Sequence, residues 1–135
     1  MVVHPNLRRF LRYQIHDLAL ARDLRRSRPV DAFASFCRAW ETEMGERLLA
    51  EVRALAPLGT PRLSAQLIAS VGALRDFAEI DRRGPISDLL VRDLGVQLEE
   101  YLLWKERELL PMLEVVATPV ELDRLRANVV NKARR

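Results

Sequence analysis

The 135-residue chain lacks several things at once. It has a single cysteine, Cys37, which excludes an intramolecular disulfide and a cysteine-based zinc cluster. Its two histidines, His4 and His16, leave little room for histidine-rich metal chemistry. Aromatic residues make up only 6% and glycines number 5, a composition that disfavours a β-sandwich built on glycine-rich turns. No run approaches the roughly 18 apolar residues that span a bilayer, and the segment from Met1 to Phe10 carries no apolar stretch of the kind found in a secretory signal. A cytoplasmic protein with no membrane partner is therefore expected. No GxGxxG or GxxxxGK motif occurs, and Ser64, Ser70 and Ser87 have no histidine at a spacing that suggests a hydrolytic triad.

What the chain does have is 49% hydrophobic and 30% charged residues, enough for one domain over 1–135 to bury a core without staples. The formal charge is +3, from 22 basic and 19 acidic residues, and only Lys105 and Lys132 are lysines. Arg8, Arg9, Arg12, Arg22, Arg25, Arg26 and Arg28 make the outer side of the first helix basic. Asp17 and Asp23 dilute that stripe and no helix-turn-helix signature accompanies it, so it reads as a solvated face and no nucleic-acid partner is expected.

Punctuation residues divide the chain into five segments of helical period, at about 6–26, 30–56, 61–82, 87–116 and 119–132. Thr60-Pro61 and Thr118-Pro119 each place a capping residue before a proline at the first helical position, and Thr118 with Glu121 forms a capping box. At ~100° per residue the apolar residues of each long segment gather on one face. On the first these are Leu7, Phe10, Leu11, Ile15, Leu18 and Ala21, with Gln14 and Asp17 turned inward and His16 outward. On the second the face includes Phe33, Cys37, Trp40, Met44 and Leu48, with Glu41 near its centre. On the fourth it includes Leu98, Tyr101, Leu102, Leu109, Met112 and Leu113, with Lys105 close to its middle. Short connections favour antiparallel neighbours. The expected fold is all-α, an antiparallel up-down four-helix bundle with a short fifth C-terminal helix.

The stretch from Tyr101 to Leu113, YLLWKERELLPML, resembles the signature helix of the hemerythrin-like, HHE cation-binding family. Leu109, Leu110, Pro111 and Leu113 match its apolar part and Glu106 matches one acidic position. The segment from Glu41 to Leu49 resembles the family's other such helix, and the stretch from Ala117 to Leu125 resembles the short helix that follows its bundle. The resemblance implies a bundle whose facing helices project histidines and carboxylates onto a di-iron centre. Here Tyr101 stands at a histidine position and Lys105 at an acidic one, while Glu41 replaces a second histidine and Gly45 a second acid. The family's metal site is thus expected to be dismantled, with Glu41, Tyr101 and Glu106 as its remnants.

Two functional readings follow. The first is a non-enzymatic binding or regulatory protein without cofactor, acting on a protein partner or a second copy of itself through its helical faces. The alternative is an iron-binding protein whose carboxylate-rich site, from Glu41, Tyr101 and Glu106, handles oxygen, nitric oxide, peroxide or iron. Lys105 is expected either to fill the old metal cavity as an internal cation, paired with Glu41, Glu106 or Asp17, or to snorkel to solvent. Cys37 is expected in the core. Trp104, about 120° off the centre of its apolar face, is expected as a core or interface anchor, and, where exposed with Leu103, as a contact surface.

Overall fold

The computed structural model describes residues 4–26, 29–80 and 84–125, and every regular element among them is helical. A short helix α1 (Pro5–Arg8) and a 3₁₀ turn (Arg9–Leu11) lead into α2 (Gln14–Arg26). Helices α3 (Pro29–Ala39) and α4 (Gly45–Leu55) are joined through a π-helical turn, Trp40–Met44. Helix α5 spans Pro61–Ala78. Helices α6 (Asp88–Trp104) and α7 (Leu110–Val116) are joined through a second π turn, Lys105–Leu109. Residues 119–125 are helical again, so the expected fifth helix begins as read, and its second half lies outside the described residues.

The helix starts follow local chemistry. Thr60 accepts a hydrogen bond from the Leu63 N–H at 3.3 Å. At the last helix Thr118 Oγ1 accepts from the Glu121 N–H at 3.2 Å, while the Thr118 N–H donates to Glu121 Oε1 at 2.9 Å. That reciprocal pair is the capping box read from the sequence. It also holds the Glu121 carboxyl below its ordinary pKa, because the hydrogen bond from the Thr118 N–H favours the charged form.

Helix α2 packs most extensively on α6 and also on α3; α3 reaches α6, α4 lies on α5, and α5 lies on α6. The close approach of α2 to α6 depends on Gly95. A Cβ there would stand 2.9 Å from the Ala21 carbonyl oxygen and 2.7 Å from Arg25 Cγ. Near the N-terminus, the buried Asn6 side chain donates to the Leu122 carbonyl at 2.9 Å and ties the first turn to the last helix. The core runs through all four long segments, with Leu24, Phe33, Phe36, Cys37, Leu48, Leu67, Leu74, Leu94, Leu98 and Leu113 among its members.

Both π turns have sequence causes. Pro111 has no N–H for the Arg107 carbonyl four residues back, and its ring would collide with that carbonyl in a regular helix. The wider turn just ahead of it, closed by the Leu110 N–H to the Lys105 carbonyl, changes the register before the proline is reached. In the other helix the indole of Trp40 lies over Gly45, where a Cβ would come within 2.7 Å of Trp40 Nε1. The Gly45 N–H closes that turn onto the Trp40 carbonyl.

A π turn adds about one residue, so every side chain beyond it rotates by ~100° relative to a straight count. This corrects part of the face reading. Beyond Lys105 the buried residues are Leu109, Leu110 and Leu113, whereas Met112 is exposed. Beyond Trp40 the positions Met44, Leu48 and Leu55 are buried as read, with Gly45 and Glu51 beside them, whereas Glu41, inside the turn, is exposed. On α2 the buried face is Gln14, Asp17, Ala21 and Leu24, and Ile15 is 87% exposed. There the 3₁₀ turn and the break at Arg12-Tyr13 restart the helix, so the phase counted from Leu7 does not carry through.

Candidate functional site

Five residues with full or partial charge or strong polarity are buried among the described positions: Asn6, Gln14, Asp17, Glu51 and Lys105. Four of these, with Tyr101 and Arg47, form one cluster between α2, α4 and the junction of α6 with the second π turn. Lys105 opens that π turn and is 1% exposed. Its Nζ donates to Glu51 Oε1 at 2.9 Å and stands 5.4 Å from the centre of the Tyr101 ring. The Tyr101 hydroxyl donates to the same carboxylate oxygen at 3.3 Å. Arg47, one turn before Glu51, reaches Glu51 Oε2 at 3.6 Å. The same guanidinium binds Asp17 through Nη2, at 2.8 Å to Oδ2 and 3.1 Å to Oδ1, and its Nε pairs with Glu43. Tyr13 covers it, with its ring centre 4.5 Å from the guanidinium carbon.

Gln14 completes the cluster on the α2 side. Its amide N–H donates to the Leu102 carbonyl at 2.8 Å, while its Oε1 is buried with no hydrogen-bond partner among the described residues. Asp17 sits one turn further along the same face.

Desolvation governs the proton affinities here. Burial pushes the Glu51 carboxyl above its ordinary pKa, against the pull of Lys105, Arg47 and the Tyr101 hydroxyl. Burial also raises the Tyr101 phenol well above 10, helped by the charge of Glu51 and the hydrogen bond to it. For Arg47 burial acts downward, but its bonds to Glu43 and Asp17 outweigh it and the guanidinium is held more firmly charged than usual. Two interior carboxylates, Asp17 and Glu51, are thus matched by two interior cations, Arg47 and Lys105.

The expected site residues fall differently. Tyr101 and Lys105 meet in the interior, but Glu41 and Glu106 are exposed and join neither of them there. The partner of Lys105 is Glu51, not Glu41, Glu106 or Asp17. Glu51 lies 14 residues beyond Cys37, about 40° from it at ~100° per residue and so within the apolar stripe; it was missed because a glutamate reads as surface. Arg47 was missed because arginine reads as surface; its spacing to Glu43 and Glu51, four residues either way, was the available signal. His16 is exposed, with Nδ1 3.4 Å from Asp17 Oδ1, and His4 is half-buried and accepts from the Asn6 N–H. Trp104 is half-buried against Tyr101, their ring centres 6.4 Å apart. These two rings share the wall of a groove of about 480 Å³ with Gln66, Ser70, Asp93 and Glu100. Cys37 is fully buried.

These interior residues do not fit a di-iron centre. His16 meets the cluster only from its solvent side, against Asp17, His4 is engaged with the Asn6 N–H, and both interior carboxylates already bind a cationic side chain. A metal ion would have to settle beside an ammonium and a guanidinium, at a cost that low-dielectric surroundings enlarge. Among the described residues no group of three or more His, Cys, Asp or Glu side chains is arranged to hold a metal. None of the described helices is long and apolar enough to cross a membrane. No family model, curated protein or solved structure matches the chain.

Proposed function

We propose that this chain is a hemerythrin-like antiparallel four-helix bundle with a short fifth helix, and that it serves as a non-enzymatic binding or regulatory protein. The observation that carries this reading is the buried Lys105–Glu51 pair at 2.9 Å. In a bundle of that family the interior carboxylates serve a metal; here, among the described residues, they are bound by the chain's own cations, which argues against a ligand set for iron-based oxygen chemistry. The neighbour pattern supports the architecture: four long segments touch in the cycle first–second–third–fourth–first. With the interior closed, recognition falls to the outer faces, where Met112, Val115, Val116 and Val120 are exposed apolar side chains close in sequence.

The test is metal content by mass spectrometry, with an absorption spectrum, on protein expressed in iron-supplemented medium. The reading requires no stoichiometric iron and a cooperative unfolding transition unmoved by chelators. Near-stoichiometric iron that disappears in Glu51→Gln would overturn it.

A further inference from the structure

We propose that Glu51 and Tyr101 frame a recognition site for a primary ammonium group, which the chain fills with its own Lys105. The inference deepens the reading above and rests on its premise that the interior carboxylates serve no metal. Three observations converge on it. The ammonium is almost wholly excluded from solvent, donates to Glu51 Oε1, and lies near the Tyr101 ring, whose face attracts a cation. Tyr101 donates its hydroxyl to the same Glu51 oxygen and so fixes the carboxylate that the ammonium meets. Gln14 contributes a second, independent sign: a carbonyl oxygen more than nine-tenths buried and without a partner among the described residues. Its amide is anchored to the carbonyl of Leu102, three residues before Lys105, which marks the surroundings of that turn as polar although the Oε1 stays out of hydrogen-bond reach of the ammonium.

Charge decides which cation suits the site. Asp17 and Glu51 carry two negative charges, and Arg47, bonded to Asp17 and 3.6 Å from Glu51 Oε2, returns one positive. The remaining demand is for a single positive charge. A divalent metal would leave an excess charge in a low-dielectric interior. It would also have no use for an aromatic face, whereas an ammonium uses that face and the hydrogen-bond acceptors together.

Chemical rescue tests this. Lys105→Ala removes the equivalent of one propylammonium, and the variant is expected to melt about 10 °C or more below the parent chain. Added propylammonium chloride should raise its Tm with the logarithm of concentration. Tetramethylammonium chloride or sodium chloride at the same ionic strength should not, since neither supplies N–H donors. The Glu51→Gln/Lys105→Ala double variant should lose the rescue. If Lys105→Ala is unfolded in plain buffer, the same titration is followed by recovery of helix content in circular dichroism. Equal effects of propylammonium and tetramethylammonium, or no effect of either, would overturn the ammonium site and leave the proposed function standing. Rescue by manganese or cobalt ions in place of propylammonium would overturn both.

Discussion

Lys105→Met is the perturbation that bears most on how this fold is held together. Methionine keeps the length and most of the volume of the lysine stem, so the packing around it changes little. What disappears is the ammonium 2.9 Å from Glu51 Oε1, in a place where the lysine side chain is 1% and the glutamate 4% exposed. Removing one partner of a buried pair costs roughly 3–5 kcal/mol, because the other charge stays behind without compensation. Glu51 retains the Tyr101 hydroxyl and the guanidinium of Arg47 at 3.6 Å, so the lower end, about 3 kcal/mol, is expected. Glu51→Gln keeps an acceptor for Tyr101 but strands the ammonium, at a similar cost of about 3 kcal/mol. The double variant loses both charges together and should cost only about 1–2 kcal/mol, an apparent coupling of about 4 kcal/mol or more. The assay is urea unfolding followed by circular dichroism for the four members of the cycle. The cost of Lys105→Met should also shrink as the pH falls, because burial already disposes Glu51 to take up a proton. Single variants that cost under about 1 kcal/mol, or a double variant equal to the sum of the singles, would refute the reasoning.

Two further outcomes follow from particular contacts. Tyr101 is buried and its folded-state pKa lies above that of the unfolded chain, so its contribution to stability is complete below about pH 10 and is lost as the pH rises through the folded value. In a Tyr13→Phe background, where Tyr101 is the single tyrosine, phenolate absorbance should therefore appear only together with loss of helix signal, and absorbance that appears earlier would contradict its burial. Gly95→Ala should destabilise by roughly 1–3 kcal/mol, because a new Cβ 2.9 Å from the Ala21 carbonyl forces α2 and α6 apart. A melting temperature at or above that of the parent chain would contradict that close approach.

The sequence made the helices legible because punctuation and capping are local. Thr60, Thr118 and Glu121 each do in the structure what their spacing suggests. Faces were legible only as far as the helix stayed regular. Leu67, Val71 and Leu74 on α5 are buried as the period requires, since nothing interrupts that helix. Beyond the second π turn the count slipped by one residue, so that Met112 turned from apparent core to surface while Leu110 went inside; beyond the first, Met44, Leu48 and Leu55 stayed buried as read, and Glu41, within the turn itself, came out to the surface. Pro111 was a visible warning for one of these turns. Gly45 gave less, because its effect depends on where the Trp40 indole folds. Lys105 was found because an isolated lysine amid leucines stands out. Its partner was not, because pairing across 54 residues is set by tertiary packing rather than by pattern.

The most direct measurement uses the scarcity of lysine. With only Lys105 and Lys132 in the chain, ¹⁵N-lysine labelling gives a spectrum with two ammonium groups to resolve. An ammonium held in the interior by Glu51 exchanges its protons slowly with water, so one sharp ¹H–¹⁵N ammonium signal should persist at neutral pH and vanish or shift strongly in Glu51→Gln. Absence of any such signal in the folded chain, or a signal indifferent to Glu51→Gln, would contradict an interior held neutral by the chain's own cations.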